Sequence, residues 1–143
     1  MNVAIVDDIP QELERISGMI NEYADDKHLS IDVKTFKNAE DFLSDYRPFS
    51  YTLIFMDIYM DGMTGVDAAT TIRKIDNETL IVFLTTSPDY TFDAFNVHAY
   101  GYILKVPEDA TLKSDIFRTL NDVIALRIRR KTRLQFLRDV AIR

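Results

Sequence analysis

The sequence has no cysteine, which excludes a disulfide framework, a thiolate nucleophile and a cysteine-ligated zinc site. Its two histidines, His28 and His98, stand far apart and offer no imidazole-rich metal site. No apolar run approaches the roughly 20 residues that a membrane-spanning helix needs. The N-terminal MNVAIVDD meets acid within seven residues and has no basic stretch before it, unlike a signal peptide. A cytoplasmic chain without membrane contact is expected. Internal repeats and low-complexity segments are missing too. The phosphate-loop pattern G-x-x-x-x-G-K-[ST] does not occur, so Gly62 and Gly65 read as turn formers.

What is present suits one ordinary domain: 143 residues, 47% of them hydrophobic and 28% charged. Charge is unevenly placed. Residues 1–106 carry 8 Lys and Arg against 18 Asp and Glu, whereas residues 107–143 carry 9 against 5. An acidic body with a basic tail does not read as a nucleic-acid binder over its whole length; the tail alone is open to that role or to that of a solvated basic helix face.

Periodicity sets the order of elements. NVAIV (2–6) is a short apolar run ending in Asp7-Asp8, and TLIFM (52–56) and LIVFL (80–84) are two more, each with the length of a buried strand. IDVKTF (31–36) alternates, and YGYIL (100–104) makes a last strand before Lys105. Between them, helical spacing joins Leu13, Ile16, Ile20 and Tyr23 up to about Asp25, after a Pro10 suited to a first turn. Asn38 is an N-cap candidate ahead of Phe42 and Leu43. Val66, Ala69 and Ile72 face inward on a helix to about Ile75, and a short helix with Phe92 and Phe95 follows Pro88. From about Glu108 a long helix presents Ile116, Leu120, Val123 or Ile124, and Ile128 on one stripe. Strands alternating with helices, and apolar enough to be covered on both faces, predict a doubly wound parallel sheet. The flavodoxin-like order 2-1-3-4-5 is the expected topology.

In such a sheet, ligands sit beyond the carboxyl ends of the strands. There the chain places Asp7-Asp8, Asp57, Thr85-Thr86 and Lys105. Carboxylates packed together repel unless they protonate or share a cation, and an all-oxygen cluster suits Mg²⁺. A lysine and a hydroxyl opposite the metal would bind phosphoryl oxygens, which fits in-line transfer of a phosphoryl group onto a carboxylate. Each residue also has an ordinary role: Asp8 could cap a helix, the threonines could end a strand, and Lys105 could sit on the surface. Their joint placement at one sheet edge favours the chemical reading.

The segments IVDDIP, LIFMDIYMDGMTGVDAA, IVFLTTS and AYGYILK resemble the receiver domain of bacterial two-component response regulators over residues 2 to about 125. The resemblance implies that Asp7 and Asp8 hold Mg²⁺, with the carbonyl of Tyr59 as a backbone ligand. It makes Asp57 the phosphoacceptor and metal ligand, Thr85 the switch hydroxyl, Tyr102 the switch aromatic and Lys105 the phosphate-binding lysine. The pattern from Tyr90 through Ala94-Phe95, Val97, Ala99 and Tyr102 to Leu104-Lys105 is similar to receivers that precede a LytTR-type DNA-binding domain.

Residues 1–125 are thus expected to form the receiver, and 126–143 a helical extension toward an effector domain. The implied partners are a sensor histidine kinase and a second copy, joined through the fourth helix, fifth strand and fifth helix. DNA would be met only through the effector. The alternative is an interaction module of receiver fold that is never phosphorylated. The haloacid-dehalogenase-type phosphatases are a poorer match, because Asp57-x₃-Asp61 is not their Asp-x-Asp.

Three positions depart from the family. Val106 stands where proline usually follows the lysine. A cis bond there would cost about 2.5–4 kcal/mol, so the loop is expected to take another path. Asp61 replaces a common proline and adds negative charge, and Thr86 replaces a smaller residue. The aromatic set Tyr90, Phe92, Phe95, Tyr100 and Tyr102 is expected to serve core or interface packing, and His98 to lie on the surface.

Overall fold

A computed structural model of the chain describes residues 1–142. Five strands alternate with five helices: β1 (Asn2–Val6), α1 (Pro10–Lys27), β2 (Asp32–Phe36), α2 (Ala39–Asp45), β3 (Leu53–Met56), α3 (Gly65–Arg73), β4 (Leu80–Thr85), α4 (Thr91–Asn96), β5 (Gly101–Leu104) and α5 (Asp109–Ile142). All strand pairs are parallel and the order is β2-β1-β3-β4-β5, as expected.

Side-chain alternation sorts the apolar strands onto two cores. Ala4, Val6, Ile54, Met56, Ile81 and Phe83 face α2, α3 and α4, where Phe42, Ala69, Ile72 and Ala94 meet them. Val3, Ile5, Leu53, Phe55, Val82 and Leu84 face α1 and α5, against Ile16, Ile20, Leu112, Ile116 and Leu120. This double coverage is why β1, β3 and β4 read as unbroken apolar runs. Edge strand β2 stays largely exposed and alternates.

Local signals act where expected. Asn38 caps α2 by accepting from Asp41 N at 2.7 Å. Helix α1 runs to Lys27, two residues past the expected end, and His28 closes it in left-handed backbone at φ 53°. Helix α3 stops at Arg73 rather than about Ile75, and Val66 is only partly buried beside Ala68 and Ala69. Phe92 and Phe95, expected to serve core or interface packing, are 75% and 77% exposed and lie outside the core, because Ala94 and Val97 turn inward instead. One stripe assignment needs correction. Ile128 is 60% exposed, because α5 passes beyond the sheet there, and Val123 is the last fully buried residue of its stripe.

At the end of the sheet away from the strands' carboxyl ends, Asp76 is buried. It accepts from the Tyr46 hydroxyl and from the backbone N–H groups of Phe49 (3.0 Å), Glu78 (2.8 Å) and Thr79 (3.1 Å). Burial raises its pKa, but these four donors outweigh it and hold the carboxyl below its ordinary value. Phe49 sits at φ 66°, a backbone region that a phenylalanine enters at a cost, and its bond to Asp76 holds it there. Arg73 adds bonds to the carbonyls of Asp76, Thr79, Val97 and His98, joining α3, β4 and the turn after α4.

Asp76→Ala would strand several of these donors in the interior. It is expected to destabilise the fold by about 3 kcal/mol, measured as a shift in the urea midpoint. A change below about 0.5 kcal/mol, typical of surface positions, would show that the network contributes little.

Candidate phosphoacceptor site

The ladder hydrogen bonds run one step past the strand ends and carry the polar residues into line. Asp7 N donates to Phe36 O at 3.0 Å, Asp57 N to Val6 O at 2.9 Å, and Lys105 N to Thr85 O at 2.8 Å. Strands β1, β3 and β5 therefore deliver an aspartate pair, an aspartate and a lysine to one edge, with β4 between the last two. Among the described residues, Asp7, Asp8 and Asp57 each bring a carboxylate oxygen within 4.8 Å of the other two. Asp7 and Asp57 are buried and Asp8 is half-buried.

Lys105 lies across this cluster. Its Nζ donates to Asp7 Oδ2 at 2.8 Å and stands 3.5 Å from Asp57 Oδ2, with its side chain 5% exposed. Burial opposes the ammonium, but the bond to Asp7 and the field of Asp57 keep its pKa above the ordinary value. Burial also raises Asp57, to about 6; Lys105 pulls it down, while Asp7 and Asp8 push it up. Asp57 Oδ1 accepts from its neighbour's N–H, that of Ile58, at 2.8 Å. One ammonium against three carboxylates leaves two formal negative charges, so the all-oxygen donor set fits a small divalent cation.

The lysine is aimed in spite of Val106. Every peptide bond among the described residues is trans, including Lys105–Val106, and Val106 packs against the α1–α5 core. Asp61 is exposed and reaches the cluster through its backbone, its N–H donating to Asp8 Oδ2 at 3.4 Å. Thr86 is exposed as well.

Thr85 is fully buried on the same face as Phe83, and its Oγ1 accepts from Ser87 N at 3.4 Å. Tyr102 pairs with Phe83 across β4 and β5, the rings 6.3 Å apart, and its hydroxyl donates to the carbonyl of Ser87. Ser87 is thus bonded to both residues expected to switch. Tyr59 lies two residues beyond Asp57, with its ring edge-on to Tyr90 at 5.1 Å. His98 is exposed, as expected, in left-handed backbone after α4.

Two supporting residues, Glu40 and Arg15, escaped the sequence reading, and a third, Gly65, was read only as a turn former. A Cβ on Gly65 would fall 2.0 Å from the Asp57 carbonyl, so only glycine lets α3 start against the Asp57 backbone. Glu40, on α2, accepts from Met63 N at 2.7 Å and ties down the loop after Asp57. Arg15, on α1, holds the loop after Lys105. Gly65 had a local signal, a glycine after Thr64 at a helix start. The other two act across the fold and had none.

Topology and site define the class: an α/β domain of flavodoxin-like order with a lysine-bridged carboxylate cluster over its carboxyl edge. Residues 3–117 match the family described as response regulator receiver domain, and the chain belongs to that family. It is similar to the sensory transduction protein LytT of Enterococcus faecalis, 29% identical over 76% of this chain and 43% of that one. It is also similar to the transcriptional regulatory protein BtsR of Escherichia coli K12, 29% identical over 82% of this chain and 47% of that one. The chain spans less than half the length of these curated relatives. Among solved structures, the response regulator TrrA of Thermotoga maritima, in complex with Mg²⁺-BeF, matches with a TM-score of 0.66 and 26% identity. That match covers 82% of this chain and 96% of the other. The non-phosphorylated HemR receiver domain of Leptospira biflexa, at 24% identity and a TM-score of 0.71, covers 86% and 93% and shares the fold.

The charge balance at Asp57 sets a pH test. Folded, cation-free protein holds the Asp57 proton more tightly than unfolded protein does. Its contribution to stability is therefore full at low pH and is lost as pH rises from near 4 through about 6. Asp57→Asn is expected to be more stable than wild type by about 1–3 kcal/mol at neutral pH, with the gap closing toward pH 4. Denaturant melts across that range check this, and a pH-independent gap would contradict a raised Asp57.

Proposed function

We propose that Asp57 accepts a phosphoryl group from a partner histidine kinase, and that the modification changes the surface formed by α4, β5 and α5. The lysine-bridged carboxylate cluster carries this reading. In the transfer, an ionised Asp57 oxygen attacks phosphorus, the P–N bond to the kinase histidine breaks, and the leaving imidazole takes up a proton. Asp7, Asp8, Asp57 and the Tyr59 carbonyl would hold Mg²⁺, which supplies charge neutralisation for the phosphoryl oxygens. Lys105 and Thr85 would bind the remaining oxygens, with Lys105 turning from Asp7 to the new anion. The same site would later hydrolyse the aspartyl phosphate.

The proposed switch uses bonds already described. Thr85 turning toward the phosphoryl group gives up its bond from Ser87 N, and Tyr102 is tied to Ser87 O. Movement of Thr85 therefore acts on the β4–α4 loop and on Tyr102 together. This is a population shift, biased because the phosphoryl group binds one arrangement better.

Residues 1–125 act as the receiver in this reading, and 126–143 lead to an effector domain that would contact DNA, all in the cytoplasm. A second copy is the proposed neighbour of the α4–β5–α5 face, where Phe92, Phe95 and Tyr100 are exposed. The extension adds exposed Leu134, Phe136, Leu137 and Val140, further apolar surface that a second copy would cover. No described helix is long and apolar enough to cross a membrane.

Incubation with acetyl phosphate and Mg²⁺ is expected to add one phosphoryl mass to wild type and none to Asp57→Asn. Wild type that gains no mass would instead favour the constitutive interaction module. Sedimentation is expected to show dimers that strengthen with a phosphoryl mimic and weaken in a chain ending at Ala125. Monomers under all four conditions would remove the proposed dimer.

A further inference from the structure

Lys105 reaches into the cluster from the last residue before a turn, so its aim depends on how the chain leaves β5. Val106 does not lock its own φ as a proline would, and the path of that turn has to be held from outside. The hold comes from Arg15, on the second turn of α1. Its Nη2 donates to the carbonyls of Val106 at 2.7 Å and Pro107 at 3.1 Å, and its Nε donates to Asp109 Oδ1 at 2.7 Å. Glu12 Oε2 lies 3.6 Å from Nη1 and steadies the guanidinium from its own helix.

The two carbonyls are the first beyond Lys105, and Asp109 begins α5. One rigid planar group thus binds three points of the turn, and the Arg15 side chain is only 20% exposed. A lysine, a flexible point charge, could not meet all three with the same geometry. Helix α1 itself begins just past Asp7 and Asp8, so the arm that fixes the lysine's turn is built on the element that follows the acidic pair.

We propose that Arg15 is the positioning residue for Lys105, fixing the β5–α5 turn so that the ammonium reaches Asp7 and Asp57. The proposal rests on the role given above to Lys105. Arg15 also joins α1 to α5, a purely structural role that the test has to separate from positioning.

Phosphorylation rates with acetyl phosphate and Mg²⁺ are compared on the full chain for wild type, Arg15→Ala, Lys105→Ala and the double variant, with Arg15→Lys alongside. Arg15→Ala is expected to slow the reaction by about 10- to 100-fold, the scale of a misplaced catalytic group, with Arg15→Lys between it and wild type. In the Lys105→Ala background, Arg15→Ala is expected to add no further loss, because the group it positions is gone. A wild-type rate in folded Arg15→Ala, or an equal further loss in that background, overturns the clamp alone. If Arg15→Ala does not fold, Arg15→Lys is read in the same cycle with the same two outcomes. Undiminished phosphorylation of Lys105→Ala instead overturns the role of Lys105 itself, and the clamp with it.

Discussion

The carboxyl edge of the sheet depends on holding three carboxylates and one ammonium together where little water reaches them. Left free, the carboxylates would separate or protonate, and the ammonium would turn to solvent. The fold prevents this through the backbone. Ladder bonds from Asp7, Asp57 and Lys105 continue the sheet one residue past its strands, so these side chains start from fixed points. Loops then close around them. Gly65 lets α3 begin against the Asp57 carbonyl, Glu40 ties Met63, and Arg15 binds the turn after Lys105. Each contact lies outside the cluster and restrains a segment that the repulsion inside it would otherwise displace.

A comparison of Asp57 with Asp76 shows how one side chain acquires opposite characters. Both are buried, and burial pushes both pKa values up. Asp76 meets the Tyr46 hydroxyl and three backbone N–H groups, which stabilise its charge and make it a structural joint between two loops. Asp57 meets one backbone N–H and a lysine shared with Asp7, with two further carboxylates nearby. Burial raises both carboxyls, and the supply of donors separates the anchored carboxylate from the poised one.

Between the cluster and the outer face runs a short chain of contacts. Thr85 is buried at the end of β4, Ser87 follows it, and the Tyr102 hydroxyl returns to Ser87 from β5. Helix α4 beyond them is a brief element, anchored by Ala94 and Val97 while Phe92 and Phe95 point out. A small helix with few buried anchors is the kind of element that a modest change at its leading loop can shift. The exposed rings give that shift an apolar surface to present.

Strand order, the two-sided core and the identity of the edge residues were legible in the sequence, because each is written locally. Apolar runs of strand length mark buried strands, helical spacing marks their covers, and a parallel sheet sends every strand's carboxyl end to one side. Asp7, Asp8, Asp57, Thr85 and Lys105 needed only their positions after those runs. What the sequence left open depended on where elements stop relative to one another. Ile128 lay on the correct stripe, but α5 outruns the sheet. Phe92 and Phe95 read equally as core or interface residues, and the rotation of α4, which buries alanine and valine, leaves them exposed. The contacts of Arg15 with Val106 and of Glu40 with Met63 join residues distant along the chain, at distances that no spacing pattern encodes. Local propensity and periodicity determine which elements form, whereas these long-range side-chain bonds exist only once the helices have docked on the sheet.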